Sequence, residues 1–280
     1  IIGLDGAIRV ISCAALWIAG VTNIGAYALT IALSPVVGVL IAAFTGKLKT
    51  EPGPEATWAE VTPNLGWLLL GSLFAAALVN AGPITVDILG QDAPPELVTR
   101  FGNAVIFARI PLFLFQAVQA ALLPRLARLA AQRKLSEFNR GLKQLLILVV
   151  SVGVLGTIGA FLIGPWVLKL VYDGGIDRRT MTLLTFASAL YMLALAIAQA
   201  VIALSGHARV AVGWCAGFVT FAVVAWLSSN DLYLRVELAL VASSLVSLAI
   251  FVVSLKQKMS GDAMFDDASI IDALAERPLE

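Results

Sequence analysis

The chain has 280 residues, of which 60% are hydrophobic and only 13% charged, and its mean hydropathy is +0.93; soluble domains average about 25% charged residues. The apolar residues come in long blocks, which excludes a large soluble core and predicts an all-α, polytopic bundle of about eight transmembrane helices. A net charge of +1 gives no reason to expect a nucleic acid partner, so the placement of the charges carries the information.

The first apolar block, from about Ala7 to Phe44, is too long for one span of about 20 residues. It divides at Thr22-Asn23 into spans near 7–22 and 24–45, with Pro35 expected to kink the second. A polar, proline- and glycine-rich linker follows over 47–65, and Trp58 and Trp67 flank its exit as interface anchors would. The third span, near 66–89, contains Asn80-Ala81-Gly82-Pro83 and ends with Asp87. A Gly-Pro step inside a span frees backbone groups that neighbours or water must satisfy.

After a short acidic loop comes a fourth span near 101–124, carrying Arg109 in Phe107-Ala108-Arg109-Ile110-Pro111, then an abruptly basic turn: Arg125, Arg128, Arg133, Lys134, Arg140 and Lys143. The fifth span, near 144–171, repeats Gly153, Gly156, Gly159 and Gly164. These either let helices approach closely or are simply tolerated in a membrane helix. Spans near 180–204, 210–228 and 236–255 complete the set, and the acidic tail 259–280 reads as disordered or a short surface helix.

If Arg9, Lys47, Lys49, the basic turn, Arg209, Lys256 and Lys258 share one side, twelve basic residues stand there against five on the other. By the positive-inside rule the first side is cytoplasmic, all eight spans alternate, and both ends of the chain lie inside. The basic turn therefore reads as a topological signal, with attraction for anionic lipid as a by-product.

Cys13 and Cys215 read as small buried hydrophobes, and His207 as a solvated turn residue. Neither the cysteine spacing nor a single histidine makes a metal site, and no cofactor is expected. The nucleotide-binding and hydrolase signatures GxxxxGK[ST], HExxH and GxSxG do not occur, so nothing suggests an enzyme. The chain opens Ile1-Ile2 with no methionine and no signal peptide, and reads as cut from a longer protein.

The candidate site centres on Arg109, because a charge within the hydrocarbon layer is costly and usually functional. On a continuous helix Gly102, Phe113, Gln116 and Ala120 share its face. Two readings stand for Arg109. It forms an ion pair with Asp87, the one carboxylate expected inside a span, reaching outward from about 12 Å depth to about 4–5 Å. Alternatively, it contacts an anion in a cavity. Asn80, at the Gly82-Pro83 break, is a further candidate, since helix irregularity marks transporter sites. Gln119 and Gln199 read as interhelical hydrogen-bonding groups.

The run Phe107 to Leu114 with Ala121-Leu122-Leu123-Pro124-Arg125-Leu126-Ala127 resembles the eighth helix of the polysaccharide flippases in the multidrug/oligosaccharidyl-lipid/polysaccharide exporter superfamily. Trp166 to Gly175 resembles the close of that family's ninth helix, and Asp5-Gly6-Ala7-Ile8-Arg9-Val10 the entry to its fifth. The resemblance implies two six-helix lobes around a cavity that opens alternately to each side. Residues 1–46 would be the last two helices of the first lobe, 47–65 the cytoplasmic link, and 66–258 the second lobe, with the first four helices missing. It further implies a flippase in a bacterial cytoplasmic membrane that moves a lipid-linked oligosaccharide by its phosphate headgroup during cell-surface polysaccharide assembly. Arg109, Gln116 and Asn80 would meet the substrate. A drug/cation antiporter of the same superfamily, with Asp87 as coupling carboxylate, and a polysaccharide polymerase-type membrane enzyme are the alternatives.

Overall fold

The computed structural model describes residues 2–45, 58–172 and 175–275. Among these, every regular element is an α-helix: α1 (Ile2–Ile18), α2 (Ile24–Phe44), α3 (Trp58–Leu89), α4 (Pro95–Ala108), α5 (Ile110–Ala131), α6 (Leu135–Tyr172), α7 (Arg178–Ala203), α8 (His207–Leu227) and α9 (Leu232–Ala275). Among the described residues, six stretches are long and apolar enough to cross a membrane: α2, Asn64–Leu89 of α3, α6, α7, α8 and Leu232–Ser260 of α9. Helices satisfy their own backbone groups, as hydrocarbon demands. The protein is an all-α, multi-pass membrane protein.

The chain divides into two units, Ile1–Ala56 and Thr57–Glu280. The boundary falls in the expected linker, whose residues 47–57 lie outside the described residues, as do Asp173 and Gly174. In the first unit, α1 and α2 form a hairpin fastened by polar side chains. Arg9 pairs with Asp5 at 2.8 Å and its Nε donates to Ser34 Oγ at 2.9 Å; Ser34 Oγ reaches Asp5 Oδ1 at 2.7 Å and the Ile31 carbonyl at 3.1 Å. That carbonyl is the one Pro35 leaves without its helical donor. The Ser34 hydroxyl thus sits at the proline defect, and α2 stays one helix through it.

In the second unit α7 is the hub, packing against α4, α5, α6, α8 and α9. Half of its most apolar stretch is buried, against 17% for α6. The outer face of α6 instead presents Leu155, Leu162 and Leu170, each more than 60% exposed. Aromatic rings link the hub to its neighbours: Tyr191 on α7, Trp214 on α8 and Phe251 on α9 stack in sequence at centroid distances of 5.1 and 5.0 Å. The helices otherwise meet through small residues, as expected where lipid gives little drive for apolar association. A side chain at Gly213 would strike the Phe251 ring, and one at Gly217 would strike Ser247.

Three expectations change. The fourth span is not one helix; it breaks at Arg109 into α4 and α5. Pro111, second in α5, cannot donate to the Phe107 carbonyl and its ring crowds that turn. The pair still traverses the bundle: Tyr233, at the start of α9, donates to the Leu97 carbonyl of α4 at 2.6 Å, while the far end of α5 packs on α6. Second, α1 has 17 residues, about 26 Å long at 1.5 Å per residue, and is not among the six spanning candidates. Third, the tail, read as disordered or a short surface helix, is helical but as a continuation of α9 to Ala275, because no proline or glycine interrupts it after Gly261 until Pro278.

The two readings of the α6 glycines divide by position. An added Cβ would lie 2.9 Å from Ala189 of α7 at Gly153, 2.9 Å from Pro111 of α5 at Gly156 and 2.6 Å from Met181 of α7 at Gly164; at Gly159 it would meet nothing within 4 Å. Gly153→Val is expected to destabilise the solubilised protein by about 1–3 kcal/mol through overpacking, while Gly159→Ala is neutral or stabilising by up to about 1 kcal/mol. Thermal unfolding midpoints in detergent measure both, and equal effects at the two positions would contradict this packing.

Candidate functional site

Arg109 occupies the break itself, with φ −92° and ψ −3° between α4 and α5. Its guanidinium is directed into the bundle and donates from Nη2 to the carbonyl oxygen of Val79 on α3. The reason lies four residues further along α3. In a helix the Val79 carbonyl accepts from the amide of residue 83, and residue 83 is a proline, which has none. Pro83 empties the acceptor and Arg109 fills it. The preceding Gly82 lets α9 come close, since a Cβ there would lie 3.1 Å from Leu240.

Two neighbouring carbonyls of α3 also accept from side chains. Tyr191 Oη of α7 donates to Ala75 O at 3.1 Å, and Asn80 Nδ2 folds back onto Ala76 O at 2.9 Å. Val79, Arg109, Tyr191, Ser188, Leu240 and Ser244 line a cavity of about 30 Å³, room for about one water. In this conformation Arg109 is therefore held by backbone in a narrow, largely apolar pocket that Leu78, Val105, Leu112 and Leu184 also line.

The Asp87 ion pair expected from the sequence does not form. Asp87 is exposed near the end of α3, and among the described residues Arg109 makes no ion pair. A carbonyl less than a helical turn's reach away satisfies the guanidinium better than a carboxylate at a different depth. Gln116 and Phe113 are exposed although they were expected on the face of Arg109, because the break uncouples the two helical faces. Asn80 is exposed and bonded to its own helix. The structure thus brings Arg109 to the Gly82-Pro83 break but gathers neither Gln116 nor Asp87 there. Cys13 and Cys215 are half-buried free thiols, and His207, expected to be solvated, is half-buried with Nδ1 out of reach of any hydrogen-bond partner.

Sequence reasoning missed a second cluster at the opposite end of α6 from the basic turn. Glu237 of α9 is fully buried. The guanidinium of Arg179 stands 3.6 Å from Glu237 Oε2, 3.5 Å from Asp231 Oδ2 and 3.7 Å from Asp177 Oδ2. Asp177 caps α7 by accepting from the Thr180 amide at 3.2 Å, and Asp231 caps α9 by accepting from the Leu234 amide at 2.9 Å. That last bond, aided by Arg179, holds the Asp231 carboxyl below the ordinary carboxylate range. Among the described residues, neither oxygen of Glu237 nor the Thr180 hydroxyl has a hydrogen-bond partner. So Asp87 is not the only carboxylate within a span; Glu237, one turn into α9, is the buried one. Its sequence signal was an acidic residue six positions after a cap-forming Asp231, easily taken for a surface residue.

Comparison with family models, with curated proteins and with solved structures finds no match for this chain.

Two outcomes test these networks. Arg109→Ala is expected to lower stability by about 1–3 kcal/mol by orphaning the Val79 carbonyl, and Pro83→Ala in the same chain to recover most of it by restoring the helical amide. Unfolding midpoints of the two single variants and the double variant give the coupling, and simple additivity would refute the pairing. Arg179→Ala leaves Glu237 buried without a counter-charge and is expected to cost about 3 kcal/mol or less, since Arg179 is half exposed. Glu237→Gln should rescue part of that loss. Because folding lowers the Asp231 pKa, its share of this stability is complete above the unfolded value of about 3.9 and is lost as pH falls below it.

Proposed function

We propose that the chain is part of a flippase that carries a lipid-linked oligosaccharide across a bacterial cytoplasmic membrane by alternating access. The observation that carries the proposal is Arg109: a permanent cation inside the bundle, placed at a helix break and held by one neutral acceptor instead of a counter-charge. A guanidinium bound to a single carbonyl keeps most of its five donors for other partners. A phosphate headgroup is a far stronger partner than a carbonyl. In this reading Arg109 exchanges the Val79 carbonyl for the phosphate as the site opens, and the Gly82-Pro83 step gives α3 the freedom to follow. The exposed Gln116 and Asn80 offer hydrogen bonds to sugar hydroxyls. The basic turn lies on the cytoplasmic side by the positive-inside rule.

Glu237 favours a second reading, a drug/cation antiporter of the same superfamily. Such a protein needs a carboxylate that gains and loses a cation within the membrane, and Glu237 is buried beside Arg179, which can shift to Asp177 or Asp231. Its position at the end of the bundle, away from Arg109, makes it a coupling group in that reading and not a substrate contact.

Complementation in a strain lacking surface-polysaccharide export, using the full-length protein, separates the two. Arg109→Ala is expected to reduce export about ten- to hundredfold, the range for loss of one charge-assisted hydrogen bond, with normal membrane insertion. The Pro83→Ala, Arg109→Ala double variant should stay inactive although its fold is restored. Normal export by the double variant would mean that Arg109 only fills a backbone acceptor. Full export by Arg109→Ala combined with loss in Glu237→Gln would favour the antiporter.

A further inference from the structure

At the basic end of the bundle, α5 and α6 form a hairpin across the turn 132–134. Their close approach is made at Gly141, where a Cβ would lie 3.2 Å from Leu126. Beside that contact the helices part and leave a cleft of about 700 Å³. Arg125 enters it from α5, and Arg140, Glu137 and Gln144 from α6; its inner wall is apolar, with Leu145 and the exposed Leu148 furthest from the turn. Arg125, Glu137, Arg140 and Gln144 are all exposed and bond to no other described residue.

Three properties define what such a cleft takes. Two unengaged guanidiniums on facing helices suit a phosphate, because each can donate two parallel hydrogen bonds to its oxygens. With Glu137 the rim carries a net charge of one positive unit, which matches a phosphodiester with its single negative charge and not a phosphomonoester or diphosphate with two or more. The carboxylate can accept only from a donor, such as a headgroup hydroxyl. The wall then runs from the charged rim toward Leu148 and the apolar length of α6, the direction in which an acyl chain would lie.

We infer that the α5–α6 cleft binds one anionic phospholipid with a hydroxyl-bearing headgroup, its phosphate between Arg125 and Arg140. The basic turn then does more than orient the chain. Two of its cations form a discrete site, while Arg128 and Lys143 lie outside the cleft, Lys143 on a different groove of α6. The inference stands on the cleft alone and is independent of what the Arg109 site carries.

The test is native mass spectrometry of the whole chain in detergent, titrated with phosphatidylglycerol. One lipid should bind at least about tenfold more tightly than phosphatidylcholine, about 1.4 kcal/mol. Arg125→Ala with Arg140→Ala should abolish that preference without shifting the unfolding midpoint, since neither side chain bonds to another described residue. The charge-matched control, Arg128→Ala with Lys143→Ala, should keep it. Equal losses in both double variants would show diffuse attraction and overturn the site. So would equal binding of phosphatidylcholine, or tighter binding of a polyprenyl phosphate or of inorganic phosphate than of phosphatidylglycerol.

Discussion

The second unit depends on one exchange between backbone and side chain: Pro83 leaves the Val79 carbonyl of α3 without an amide, and the Arg109 guanidinium takes that place from the α4–α5 break. In water such a carbonyl would be solvated at little cost. Inside a bilayer it must find a donor within the protein, because an unpaired backbone group there costs several kcal/mol. The half-buried cation has the mirror-image problem. Each defect offsets part of the other's cost, and together they tie α3 to the break without an acidic counter-charge. A carboxylate would hold the arginine more tightly and leave it less able to change partners.

The same device recurs at a smaller scale in the first unit, where Pro35 frees the Ile31 carbonyl and the hydroxyl of Ser34 lies within reach. At Pro35 and Pro83 the freed carbonyl is therefore accompanied by a side-chain donor. At Pro111 the solution differs: the chain breaks, and the residue at the break is Arg109. A single short stretch thus supplies both the discontinuity and the charge that uses another helix's discontinuity. The Arg179 cluster plays the complementary part at the far end of α6, joining the starts of α7 and α9 through two capping aspartates and the buried Glu237.

Much of this was legible before any fold was known. Apolar block lengths gave the helical, membrane-crossing class, and the Gly82-Pro83 step announced a backbone group in need of a partner. Arg109 stood out because a charge in an apolar run is rare. Its partner was assigned to Asp87 because carboxylates are the partners that sequence displays, whereas a carbonyl freed by proline carries no letter of its own. Counting four residues back from Pro83 identifies Val79 as an acceptor, but not which donor lies opposite. Glu237 escaped notice because a carboxylate one turn from a polar loop looks solvated unless the packing around it is known.

Sequence by itself determined the quantities that depend on local composition: that long apolar stretches cross a membrane as helices, where the charges lie along the chain, and where proline denies a helix its hydrogen bond. Those follow from transfer free energy and covalent structure, which each residue carries with it. Tertiary structure decided which of the α6 glycines touch a neighbour and which face open space, which acceptor the Arg109 guanidinium meets, and that Arg125 and Arg140 share one cleft while Lys143 does not. These are properties of pairs of helices. They depend on rotation and depth within a few ångströms, and helices in lipid are placed by close packing and hydrogen bonds whose partners lie far apart in the chain.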